Sequence, residues 1–200
     1  MQLSVSSFGW GIGWSIGGLC AGVFDSMAEN MLKQMRRKLS EAEGYLLLNL
    51  PVRALSILEA HADWATMKYE SCILQGEALR MMERWRDALR PLEQAALLRP
   101  GDLNASIALG WCYKRTHRLA QAIDALTFAV NKAPTVALLH YNLACYWSLA
   151  NDPDQALGYL TEALNLEPDY LEMTRNEPDF DPIRGLPQFE RLVGDAAKTA

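Results

Sequence analysis

The residues best suited to chemistry in this chain are three histidines, four cysteines and a group of acids near the C-terminus. A metal site needs His, Cys, Asp or Glu at spacings that bring several ligands together. His61, His117 and His140 lie far apart and form no such set. His61 and His140 fit packing positions, and His117 fits a turn. Cys20, Cys72, Cys112 and Cys145 make no CxxC pair. Cys72 and Cys112 fall at core-like helix positions, so reduced thiols in a reducing compartment are expected, not a disulfide framework. No Ser, Cys or Thr is followed by a plausible base, and no glycine-rich loop joins a strand to a helix. Glu177, Asp179 and Asp181 suit a solvated loop better than an acid–base pair. The expectation is a non-enzyme with no catalytic residues, no metal, no cofactor and no small-molecule substrate. A net charge of −5 and a pI near 5.2 also argue against a nucleic-acid surface, which needs a basic face.

Any functional surface must therefore be built by the elements, and their spacing is regular. Ala54, Ala88, Ala122 and Ala156 stand 34 residues apart, and Pro100, Pro134 and Pro168 keep the same interval. A period of this size marks a solenoid whose unit is one helix–turn–helix. The third unit shows the pattern most fully, in Ser106, Leu109, Gly110, Tyr113, Ala122, Leu126, Ala129 and Pro134. The second gives Cys72, Gly76, Leu79, Ala88, Leu92, Ala95 and Pro100, and the fourth His140, Leu143, Ala144, Trp147, Ala156, Leu160, Ala163 and Pro168. The first keeps Ala42, Tyr45, Ala54 and Leu58 but has His61 and Thr66 where Ala and Pro are expected. Small residues let two helices approach, large ones fill the space beside them, and each proline ends a second helix. Asp102, Thr135 and Asp169 are N-cap candidates. Asp169 with Glu172 has capping-box spacing, and Asn151-Asp152-Pro153 reads as a stop, a cap and a first-turn proline.

This pattern resembles the tetratricopeptide repeat. The resemblance covers residues 35–170 and implies an all-α, right-handed helical-repeat solenoid of units 35–68, 69–102, 103–136 and 137–170. It also implies a peptide-binding inner face made by the first helices. Carried over by position, that face comprises Arg80 and Met81 of the second unit, with Glu70, Ile73 and Glu77 alongside. Asn104, Ile107, Trp111, Lys114 and Arg115 come from the third unit, and Leu138, Tyr141 and Cys145 from the fourth. Trp111 and Tyr141 are the expected anchors, because aromatics dominate binding hot spots. Arg80, Lys114 and Arg115 would add a positive rim for a partner segment with apolar side chains and an acidic group. The family's clamp for chaperone-tail carboxylates is not expected, since Leu39, Glu43, Leu74, Asn104 and Ala108 occupy its places. The implied role is a protein-interaction adaptor, with a soluble assembly chaperone as the alternative.

Both ends depart from the period. Residues 1–24 carry no charged side chain, and Trp10, Trp14, Ile16, Leu19, Val23 and Phe24 alternate with six glycines. Twenty-two helical residues would span roughly 33 Å, about a bilayer's hydrocarbon thickness. A second pattern, Leu19, Cys20, Val23, Phe24, Met27, Met31, Met35 and Leu39, reads as an amphipathic helix running into the array. Two readings stay open for residues 1–34, a membrane contact and a contact with protein. In the first, the cluster Lys33, Arg36, Arg37 and Lys38 places the repeats on the cytoplasmic side. A cytoplasmic protein is expected in either case. Residues 171–200 read as a cap resembling the tail that closes bacterial arrays of this kind. Phe180, Ile183, Phe189 and Leu192 would cover the last unit, and Arg184 would pair with Asp179 or Asp181.

Overall fold

The computed structural model describes residues 17–60 and 67–195, with side chains described from Ser26 to Gly194. Trp10, Trp14, Ile16 and His61 lie outside the described residues, as do the side chains of Leu19, Val23 and Phe24. Ten α-helices and no strand occur among the described residues. They are α1 Gly17–Leu47, α2 Pro51–Glu59, α3 Lys68–Met81, α4 Trp85–Leu98 and α5 Leu103–Arg115. Then come α6 Leu119–Lys132, α7 Ala137–Leu149, α8 Pro153–Leu166, α9 Tyr170–Asn176 and α10 Pro187–Asp195, with a 3-10 turn at Pro178–Phe180. Two compact units divide the chain, Met1–Arg37 and Lys38–Ala200. In the first, the described helix exposes Met27 and Met31, so the amphipathic stripe is helical as expected but open at these two positions. No helix among the described residues is long and apolar enough to cross a membrane.

In the second unit the helices pack as hairpins, α3 on α4, α5 on α6 and α7 on α8. The periodic residues form the seam. Ala54, Ala88, Ala122 and Ala156 are wholly buried, as are Leu58, Leu92, Leu126 and Leu160. Close approach at Gly76 has a direct cause: a Cβ there would lie 2.3 Å from Leu92 Cδ2. The helices α4, α6 and α8 end at Leu98, Lys132 and Leu166, each two residues before its proline. That follows from the bias of the residue before proline away from helical backbone.

The turn inside each hairpin is the same structure four times. Asn49, Glu83, His117 and Asn151 all adopt positive φ, between 57° and 62°, at 34-residue steps. In each turn that residue's N–H donates three residues back, and the next N–H donates five residues back, as in Leu50 N to Tyr45 O at 2.8 Å and Arg118 N to Tyr113 O at 2.8 Å. This is the Schellman closure, which satisfies carbonyls that a helix end leaves without partners.

The caps divide. Asp102 accepts from Ala105 N at 3.0 Å, and Asp152 accepts from Gln155 N at 3.1 Å ahead of Pro153, as expected. Thr135 and Asp169 do not cap: α7 starts after Val136, and Asp169 itself has helical backbone. Upstream carbonyls already take the first donors there, Leu139 N bonding Val136 O and Tyr170 N bonding Glu167 O.

Candidate functional site

The helices α3, α5 and α7 line one groove, a cavity of about 540 Å³. Ile73, Glu77 and Arg80 come from α3, Asn104, Ile107, Ala108 and Trp111 from α5, and Leu138 from α7. The three- and four-residue steps within each helix put these side chains on one stripe. Trp111 and Leu138, each 37% exposed, are the large apolar groups most open to a ligand. Asn104 is exposed at the N-terminal end of α5, with an amide able both to donate and to accept. Of the expected contacts, Arg80, Asn104, Ile107, Trp111 and Leu138 meet in this one groove.

Glu70, Met81, Lys114, Arg115, Tyr141 and Cys145 do not line it. Tyr141 and Cys145, expected on the open face, are only 3% exposed, and this is a correction. The C-terminal cap covers them. The Tyr141 ring lies 4.9 Å from that of Tyr170 and meets Phe180 edge-on at 5.8 Å, and Phe180 packs in turn on Phe189 at 5.7 Å. Burial pushes the Tyr141 hydroxyl and the Cys145 thiol up from their ordinary values, so both stay protonated. Lys114 reaches out of α5 to Asp179 of the cap instead of standing free. It also lies 5.5 Å from the Trp111 ring centroid, holding that indole from one side. Met81 is half-buried at the end of α3. Arg115 turns away toward the hairpin turns, 5.4 Å over the Trp85 ring.

The expected positive rim is therefore not present. Arg80 donates through Nε and Nη2 to Glu77 Oε2, at 2.9 and 2.7 Å, and so cancels its charge inside the groove. Lys114 is neutralised by Asp179. What remains is a near-neutral channel with an indole floor, aliphatic walls and one amide. The Lys114–Asp179 pair is not legible in the repeat, because the acid comes from a cap 65 residues downstream.

Elsewhere among the described residues, the side chains suited to chemistry stand apart from one another. His140 is buried, with Nε2 2.7 Å from the Pro134 carbonyl, a packing and helix-end role. His117 occupies the left-handed turn position. Cys72 and Cys112 are buried reduced thiols, both pushed up by burial, Cys112 to about 11. No group of three or more His, Cys, Asp or Glu among the described residues could hold a metal.

Stacked hairpins, identical turns and an inner groove define the class: a helical-repeat solenoid of the tetratricopeptide type. Solved structures similar to the chain agree. MamA from Desulfovibrio magneticus RS-1, residues 41 to the end, is 17% identical over 82% of this chain and 91% of its own, with a TM-score of 0.69. A crystal structure of MamA is 19% identical, covering 74% of this chain and 87% of its own at a TM-score of 0.64. YrrB, described as a TPR protein with an unusual peptide-binding site, is 20% identical over 68% of this chain and 70% of its own, with a TM-score of 0.62. At such identities the likeness is one of fold. No family model and no curated protein matches the sequence.

Proposed function

We propose that this protein is a non-catalytic scaffold that holds a segment of a partner protein in the groove of α3, α5 and α7. The observation that carries the reading is the open, charge-compensated groove around Trp111, Ile107 and Leu138. Its residues suit a short helical or extended peptide with apolar side chains, the amide of Asn104 bonding the peptide backbone. An acidic anchor is no longer part of the expectation, since Arg80 and Lys114 already have carboxylates. The peptide-binding site named for YrrB supports this use of the fold.

In this reading residues 35–68, 69–102, 103–136 and 137–170 form the array, and 171–200 close it. Residues 1–34 are a second contact, to a membrane complex on the cytoplasmic side. The exposed Met27 and Met31, one helical turn apart, favour a further reading in which this helix pairs with a second copy, as in an assembly chaperone. Fractionating the full chain against one starting at Ser26 separates these two. Release from the membrane fraction on truncation supports the first, and a change of oligomeric state in solution supports the second.

The groove is tested by affinity capture with Trp111→Ala and Asn104→Ala. Both side chains are open, so the variants should fold and lose the partner, with Trp111→Ala weakening capture about tenfold or more. Retention of every partner by both folded variants would overturn the groove.

A further inference from the structure

The four hairpin turns lie at equivalent places in stacked hairpins and so along one edge of the array. Three of them are polar at their tips, with Glu83-Arg84, His117-Arg118 and Asn151-Asp152. The first is not. It runs Leu46-Leu47-Leu48-Asn49-Leu50-Pro51-Val52, and Leu47, Leu48 and Val52 are 85%, 69% and 64% exposed. Exposed apolar runs of this kind are unusual unless they meet something.

We propose that this edge is a binding surface for an anionic lipid bilayer, separate from the peptide groove. Two features favour lipid over a protein pocket. First, the aliphatic groups protrude from a tight turn whose N–H groups at Leu48, Asn49, Leu50 and Arg53 are already bonded within it. Leu48 N bonds Gly44 O, Asn49 N bonds Leu46 O, Leu50 N bonds Tyr45 O, and Arg53 N bonds Leu50 O. Such a turn can lie at the headgroup boundary, its aliphatic groups toward the acyl chains and its tip carbonyls hydrated. Second, further along the edge stands a basic recess of about 450 Å³ that includes Trp85, Arg84, Arg86, Arg115 and His117. Arg84 is spent on Asp87 at 2.8 Å. Arg86 and Arg115 are exposed and make no ion pair among the described residues, and Arg115 lies over the Trp85 ring. Glu83 is the one acid left opposing them there. Guanidinium groups at an indole suit lipid phosphates at headgroup depth, where Trp is commonly found. On a chain of net charge −5, this is a local excess of cations.

The test is sedimentation of the full-length protein with vesicles of two parts phosphatidylcholine to one part phosphatidylglycerol, against phosphatidylcholine alone. The wild type should bind the anionic vesicles, less so at high salt. The double variant Leu47→Ser/Leu48→Ser should lose about tenfold or more in binding while keeping its helicity, because both side chains are exposed. Arg86→Gln/Arg115→Gln is an independent arm and should remove the preference for anionic lipid. Trp111→Ala should bind vesicles as the wild type does, which distinguishes this surface from the groove. The proposal is overturned if the wild type does not bind, or if both double variants bind unchanged, since the contact would then lie elsewhere, as in residues 1–24. It is equally overturned if inorganic phosphate binds at Arg86 and Arg115 while vesicles do not, or if Leu47→Ser/Leu48→Ser alters only self-association.

Discussion

Gly76 has no room for a methyl group: its Cβ would fall 2.3 Å from one carbon of the fully buried Leu92 and 2.4 Å from another. Gly158, inside α8, has nothing within 4 Å of the same position. The same substitution should therefore act in opposite senses. Gly76→Ala should cost about 1–3 kcal/mol through overpacking, and Gly158→Ala should add about 0.5–1 kcal/mol by removing backbone freedom from the unfolded chain. Urea denaturation midpoints of the two variants check this. The first effect was legible in the sequence, because Gly76, Gly110 and Ala144 share one register and only small residues fill it. Tyr141 was not legible in the same way. It occupies the register of Ile107, which does line the groove, and its burial is decided by Phe180 and Tyr170. A rule that repeats every 34 residues cannot register a lid supplied once.

The cap is held as an element by Arg184. Its guanidinium donates to the carbonyl of Arg175 at 2.6 Å, the carbonyl of Glu177 at 2.7 Å and Asp181 Oδ1 at 2.9 Å. The expected pairing with an acid is thus present, but the two carbonyl bonds fix the bend between α9 and the 3-10 turn. Arg184→Ala should loosen that bend at a cost of about 1–3 kcal/mol, a range that allows for the partial exposure of this side chain. Hydrogen exchange should then speed up in the cap and in α7 before it does in α3–α6. Uniform acceleration would show that the cap has no independent stability. The hairpin turns teach a related lesson. Asn49, His117 and Asn151 are residue types that adopt left-handed backbone more readily than most, but Glu83 carries no such signal. Glu83 is held there by the hairpin that surrounds it, so only the period reveals it.

For the whole molecule, buried tyrosines and thiols link the fold to alkaline pH. Burial, then the hydrogen bond to Glu93 at 2.9 Å, pushes Tyr113 up to about 12, and burial leads the same shift at Tyr69. Cys112 is raised to about 11, and Tyr146 is raised too. A raised folded value means that folding favours the protonated form. The associated stability is complete below the unfolded values of 9.0 for cysteine and 10.0 for tyrosine, and it drains away as pH climbs through the folded ones. Urea midpoints should accordingly hold steady up to about pH 9 and fall from there to about pH 12. Tyrosinate absorbance from the buried rings should rise together with loss of helicity; full tyrosinate absorbance with the helices intact would refute the linkage. The cap also gives the molecule a direction. Phe180 and its neighbours seal one terminus, while every turn upstream is interchangeable in form with the next. A further hairpin of the same form could therefore stack among the existing ones, whereas none could stack on α7 and α8 without displacing Phe180 and Phe189.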